Sequence, residues 1–392
     1  MKIAFAALYD LKNLNRGSGT YFHIYKELIS QNHNVEIIRP LEIVFPFLSR
    51  LFRFLTKRIL NKRYRSYQDP FIGAVIGKNI ESQLERLEYD FFLTNDYTIA
   101  AYIKINKPIV LWTDSIFPFN YRENRHPWIM NMSWVSVKFC QIVVRRSLRN
   151  VSLCIVPGDW NYKEILKYDI LDKNQLSIIP FGANMNNPGI SLHHLKKIDK
   201  TNLNILFVGK DFKLKGLDCA MEVIQILQMN GVQVTLNIVG NNKQAYQQSI
   251  NKKIKNNSSV KFHGFLDKKN PDELNMLIEL YKRSHVFLLP SIAEGFGISY
   301  IEAASFGIPS LGYKTHGVTT AVKNGFSGIL LDINKGPNDF ADTILSFIEK
   351  PKNYKNLCKG ARAHYDIDGR WEIIIPRFID FVDKKFFSIN QS

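Results

Sequence analysis

Two glutamates, Glu294 and Glu302, are separated by seven residues in the segment SIAEGFGISYIEAASFGIP. The apolar run HVFLLPS before them predicts a strand ending at Ser291, so Glu294 falls in the loop. Glu302 falls in a helix that Gly307 and Pro309 stop. Gly295 and Gly297 let the backbone approach a ligand closely, and the N–H groups from Phe296 to Ile298 open a helix N-terminus. Such a terminus suits a diphosphate or sugar hydroxyls. Glu302 lies roughly 7 Å further along the axis, at ~1.5 Å per residue. A carboxylate so near a phosphate must serve another group, and a ribose offers two adjacent hydroxyl donors. The pair therefore points to a nucleotide. By itself it would fit equally well a loop carboxylate capping the helix and a second carboxylate on its surface.

Cations follow an earlier strand. In FVGKDFKLKG, Gly209 makes a turn and Lys210 and Lys215 precede the next helix, where fixed positive charge would stabilise a leaving nucleoside diphosphate. The alternative is a solvated lysine-rich loop. After the first strand, Arg16, Gly17, Ser18, Gly19 and Thr20 form a Gly-rich entry into a helix, a weak phosphate signal that a plain turn capped by Thr20 explains equally well. His126, His193, His194, His263 and His316 lack metal-ligand spacing, and no metal is expected. Cys140, Cys154, Cys219 and Cys358 are far apart in mostly apolar runs and read as reduced, buried thiols of a cytoplasmic protein.

The elements that must position these residues come in two series. KIAFAAL, NVEIIR, DFFLTN, PIVLWTD, VSLCIVP and LSIIPFG are followed by LNILFVG, VTLNIVG, VKFHGF, HVFLLPS, IPSLGY and GILL, most of them separated by helix-length segments. That alternation predicts α/β domains, each a parallel sheet covered on both faces. The polar stretch 184–201 reads as a linker. It divides residues 1–185 from 186–371, and a final helix over about 372–392 rejoins the first domain. Ligands of open parallel sheets bind beyond the carboxyl ends of the strands, so two such domains are expected to face each other across a cleft. Asp10 and Lys12 interrupt the first apolar run before it can serve as a leader, and no uncharged stretch reaches the ~18 residues of a membrane span.

SIAEGFGISYIE resembles the Glu, seven residues, Glu motif of retaining family 4 glycosyltransferases of the GT-B fold, bacterial type. GKDFKLKG resembles their phosphate-binding segment, IIPFGANM the strand leading into their linker, and NGFSGILL a late loop and strand. The resemblance runs over most of the chain and is densest over residues 204–331. It implies two Rossmann-like domains and metal-independent transfer of a hexose-type sugar, with retention, from a nucleotide diphosphate sugar, UDP- or GDP-linked. That sugar is a substrate, and no cofactor is implied. Glu294 would contact the donor sugar, Glu302 the ribose, and Lys210 and Lys215 the diphosphate. The amides of Gly295, Phe296, Gly297 and Ile298 would bind sugar oxygens and phosphate, beside Gly209. Phe265 and Leu266 would touch the base, and Gly17 and Gly19 would close the site from the first domain. Asp114 is the acceptor-side candidate, with helix capping as the alternative. Three positions depart from the pattern: Lys210 replaces the usual Arg and loses bidentate binding, Thr113 replaces a His before Asp114, and Thr319-Thr320 replaces Pro-Glu.

The 52 Lys and Arg against 35 Asp and Glu, a net charge of +17, favour an anionic partner. From Arg50 to Arg65 there are seven basic residues and no acid, interleaved with Leu51, Phe52, Phe54, Leu55, Ile59, Leu60 and Tyr64. This reads as a basic amphipathic helix able to lie on an anionic membrane. The expected acceptor is a glycan or a lipid-linked molecule, and the expected location is the cytoplasm, peripheral to the inner face of the membrane. A second basic, apolar stretch spans residues 138–149. Packing of the first helix on its own domain is the plainer alternative. An epimerase-like GT-B enzyme is one rival function. A nucleic-acid binder is another, but it leaves both glutamates without a role, so no nucleic acid is expected.

Overall fold

The computed structural model describes all residues except 16, 40–44, 119–128, 130, 186–196, 241–257 and 389–392. Arg16, His126, His193, His194 and most of the linker stretch therefore lie outside the described residues. The chain forms two compact units, one of Met1–Pro180 with Ile375–Ser392 and one of Phe181–Ile374.

Six parallel strands form the sheet of the first unit: β1 (Lys2–Ala6), β2 (Asn34–Ile38), β3 (Phe91–Thr94), β4 (Ile109–Trp112), β5 (Leu153–Val156) and β6 (Leu176–Ile178), ordered β2-β1-β3-β4-β5-β6. β3, β4 and β5 are buried along their whole length, which is why they are continuous apolar runs rather than alternating ones. Helices Pro70–Leu84, Tyr97–Tyr102 and Trp134–Asn150 supply one side of the core, with Ile72, Ile76, Ile80, Ile99, Val143 and Val144 fully buried. Their starts are chemically fixed. The Asp69 carboxylate accepts from the Phe71 amide at 2.7 Å and the Asp96 carboxylate from the Thr98 amide at 2.7 Å, filling donors that a helix N-terminus leaves open. The final helix, Trp371–Phe386, belongs to this unit from Ile375 onward, where Phe378 stacks on Trp112 at 4.8 Å between ring centroids.

The second unit holds another six parallel strands: β7 (Leu203–Gly209), β8 (Val234–Gly240), β9 (Val260–Phe262), β10 (Val286–Leu289), β11 (Ser310–Tyr313) and β12 (Gly328–Leu331), ordered β12-β11-β10-β7-β8-β9. All twelve apolar runs read from the sequence are strands, so the α/β fold of two parallel sheets stands. Helices Leu217–Met229, Pro271–Arg283, Pro337–Glu349 and Pro351–Asp368 contribute buried residues to this unit's core. The short helix Ile298–Ser305 is buried at Tyr300 through Ser305, Glu302 included.

Candidate active site

The strand order of the second unit creates the site. β7, the first strand, lies between β8 and β10; the chain fills one side with β8 and β9, then returns to fill the other with β10, β11 and β12. Connections therefore leave β7 and β10 in opposite directions, opening a crevice beyond their carboxyl ends. Lys210 and Lys215 follow β7, and Glu294 follows β10.

The loops around that crevice are tied together. The Ile292 amide donates to the Leu214 carbonyl at 3.0 Å and the Gly317 amide to the Glu294 carbonyl at 3.2 Å, linking the segments after β7, β10 and β11. Gly216, in the left-handed region at φ 75°, begins the helix after Lys215, and a β-carbon there would collide with the Pro290 carbonyl. Glycine at this position is what lets the two loops meet. Gly297 also lies in the left-handed region, at φ 97°, and serves as N-cap of Ile298–Ser305 without a side chain to occupy the terminal N–H groups.

Each glutamate is held by a lysine. Glu294 pairs with Lys215 and also accepts from the Ser291 hydroxyl at 3.0 Å; the two charged side chains are 10% and 19% exposed. Glu302 pairs with Lys268 and accepts from the Tyr281 hydroxyl at 3.2 Å, its own side chain only 3% exposed. Burying a charge this far from water is costly unless it is paired and hydrogen-bonded, as both are here. Tyr281 is fixed by stacking on Phe306 at 5.0 Å, and burial, then the Glu302 charge, push its phenol well above the ordinary range. It thus stays a neutral hydrogen-bond donor. Tyr300 is likewise buried and donates to the Leu289 carbonyl.

The Lys210 ammonium lies 5.0 Å from the centroid of the Phe265 ring. Phe265 is half-buried and Leu266 buried, beyond β9. The Phe296 side chain is core, packed edge-on against Phe181 at 5.6 Å, so only its backbone is available for a ligand. Lys268 and Tyr281 are the contacts of Glu302 that sequence reasoning missed. No motif spacing marks Lys268, but it lies six residues past the end of β9, within the strand-end zone where ligands bind.

In the first unit, Gly17 and Gly19 form a short 3-10 turn before helix Thr20–Ser30, and Asp114 follows β4 with its side chain exposed. Tyr21 connects the two places. A β-carbon on Gly17 would crowd Tyr21 and the Tyr9 hydroxyl, while burial and then the Asp114 charge push the Tyr21 phenol well above its usual value. The Asn95 amide donates to the Tyr9 hydroxyl at 3.1 Å. A polar cluster thus stands at the carboxyl edge of this sheet, with Tyr9, Tyr21 and Asn95 as members the sequence did not single out.

Residues 192–364 match the family model described as Glycosyl transferases group 1. An uncharacterised 41.2 kDa protein in the cps region of Klebsiella pneumoniae is 27% identical over 203 residues, covering 50% of this chain and 52% of that protein. The chain thus spans about half of that relative's length. Among solved structures, Anabaena HepE in complex with UDP and glucose matches 98% of this chain and 99% of its own at 17% identity, with a TM-score of 0.66. Sucrose-phosphate synthase from Thermosynechococcus elongatus matches 98% and 99% at 16% identity, with a TM-score of 0.73. Residues 192–364 accordingly carry the glycosyl transferases group 1 family signature, within a chain that has the GT-B fold along its length.

Proposed function

We propose that the chain is a retaining, metal-independent glycosyltransferase of family 4 that moves a hexose-type sugar from a nucleotide diphosphate sugar to a glycan or lipid-linked acceptor in the cytoplasm. The observation that carries this reading is the pair of lysine-held carboxylates at the crevice beyond β7 and β10. A carboxylate offers about four lone-pair positions. Glu302 uses one oxygen for Lys268 and the other for Tyr281, so it keeps capacity for a ribose hydroxyl without surrendering either partner. Lys215 is already immobilised by Glu294. On this reading its ammonium turns to the diphosphate and offsets the charge that develops as the glycosidic bond breaks, while the helix N-terminus at Gly297 adds N–H donors. Glu294, relieved of the lysine, faces the sugar. Lys210 over Phe265 would support the base and the second phosphate. The HepE complex with UDP and glucose supports a nucleotide-sugar donor on this fold. Asp114, exposed beyond β4, is the proposed acceptor contact.

Thermal melting against a panel of UDP, GDP and ADP sugars tests the donor half, because a ligand that binds only the folded state raises its melting point. The stabilising sugar should then be transferred in the presence of a metal chelator, with its anomeric configuration retained on NMR. A panel without any shift, or inversion of configuration, would overturn the reading.

A further inference from the structure

Both partners of Glu302 come from one turn and the helix that follows it. β9 ends at Phe262, and the chain turns at Gly264, φ 74°, whose carbonyl accepts from the Gly240 amide at 2.8 Å. Lys268 then sits in a tight turn. The Asp267 amide donates to the Glu273 carboxylate at 2.5 Å, the Lys269 amide to the Asp267 carboxylate at 2.9 Å, and the Asn270 amide to the Asp267 carbonyl at 2.9 Å. Asn270 caps helix Pro271–Arg283, accepting from the Asp272 amide at 3.0 Å, and that helix carries Tyr281 on its buried face. The turn is therefore held by bonds that leave the Lys268 ammonium for other work.

An ammonium carries three N–H donors. Lys268 gives one to Glu302 and one to the Asn184 carbonyl at 3.3 Å. That carbonyl is itself fixed. Asn184 is buried and its side-chain oxygen accepts from the Trp371 indole at 3.2 Å; beside it the Ala183 amide donates to the Gly369 carbonyl at 2.8 Å, and a β-carbon on Gly182 would strike the Trp371 ring. All of these residues belong to the second unit. Lys268 is thus anchored on two sides, and its third N–H has no acceptor among the described residues. The Glu302 side chain is 3% exposed and that of Lys268 21%, so a group that reaches the carboxylate must also lie against the lysine that covers it.

We propose that Lys268 is a second ribose-binding residue, its third N–H donating to an oxygen of the same vicinal diol whose hydroxyl donates to Glu302. A hydroxyl is both donor and acceptor, and a carboxylate reads only the donor half. The ammonium beside it reads the acceptor half, so the pair distinguishes a diol from any group that can only donate or only accept. Phe265 and Leu266, proposed to touch the base, lie three and two residues before Lys268, which places base and ribose recognition on one stretch of chain. The inference rests on the reading of Glu302 as the ribose contact and adds a residue to it.

The test is isothermal titration of the full chain with UDP, GDP and ADP and with the 2′,3′-dideoxy form of each. The quantity read is the ratio of the two dissociation constants, because a general weakening of the site moves both ligands alike and cancels. The parent should prefer the ribonucleotide about fiftyfold, roughly tenfold from Glu302 and fivefold from Lys268. Glu302→Gln should keep about a fivefold preference, and Glu302→Gln/Lys268→Met should have none. The double variant strands no buried charge and is expected to fold, which circular dichroism checks. If Lys268 serves only to hold Glu302, adding Lys268→Met to Glu302→Gln will leave the preference unchanged, and the proposal falls while the Glu302 reading stands. If the parent binds ribose and dideoxyribose forms equally, or binds none of the three nucleotides, the reading of Glu302 falls and the proposal with it.

Discussion

At the scale of single residues, Glu294 and Glu302 are distinguished by their surroundings rather than by their type. Glu302 is walled in by Tyr281 and Lys268, so its proposed duty is binding. Glu302→Gln should leave the fold intact and raise the dissociation constant of the nucleotide about tenfold or more, the value of hydrogen bonds to a charged acceptor, as isothermal titration would read. Glu294→Gln should mainly lower kcat, by about a hundredfold, with little change in KM. Equal effects of the two changes on KM would contradict the division of labour. Lys268→Met strands a carboxylate that is 97% covered and should cost about 2–3 kcal/mol in urea unfolding, at the low end for a buried pair because Lys268 itself keeps 21% exposure.

At the scale of elements, the site depends on loops that can approach only where a side chain is missing. Gly216→Ala would demand a left-handed alanine and force its methyl group onto the Pro290 carbonyl. Together these should cost about 2–4 kcal/mol. The strain falls on the contact between the Lys215 loop and the Ser291–Glu294 loop, so nucleotide affinity should fall along with the melting point. Gly231→Ala is the matched control: it is also at positive φ but has nothing within 4 Å, so it should lose about 1 kcal/mol of stability and no affinity.

At the scale of the whole molecule, buried titratable groups set the response to pH. Burial, then Lys261, holds His263 below its ordinary value; burial, then Lys323, does the same for His364. Unfolded histidine gains its proton near pH ~6.5, the folded residues only further into acid, so below that point the unfolded state binds more protons. Stability should therefore be complete at neutral pH and decline as pH falls below about 6.5. Calorimetry across that window checks it, and His263→Gln should flatten part of the slope. Burial also raises the thiols of Cys140, Cys154 and Cys358 to about 12, so they should resist alkylation in the native protein and react on unfolding.

The sequence by itself determined the elements and the chemistry types. Strands buried on both faces must be continuous apolar runs, which is why β3, β4, β5 and β10 were legible. Glu294, Glu302, Lys210 and Lys215 could be singled out because strand ends and Gly-rich turns are local features. What only the tertiary structure decided is who meets whom. β7 and β10 become neighbours across 76 intervening residues, from 210 to 285, and this adjacency hands Lys215 to Glu294. The partners of Glu302, Lys268 and Tyr281, come from two further segments that share no spacing rule with it. The basic run 50–65 had the composition of an amphipathic helix. Its left-handed turn at Asn61 folded that composition into a pocket, because a backbone reversal depends on local conformation that charge and hydropathy do not encode.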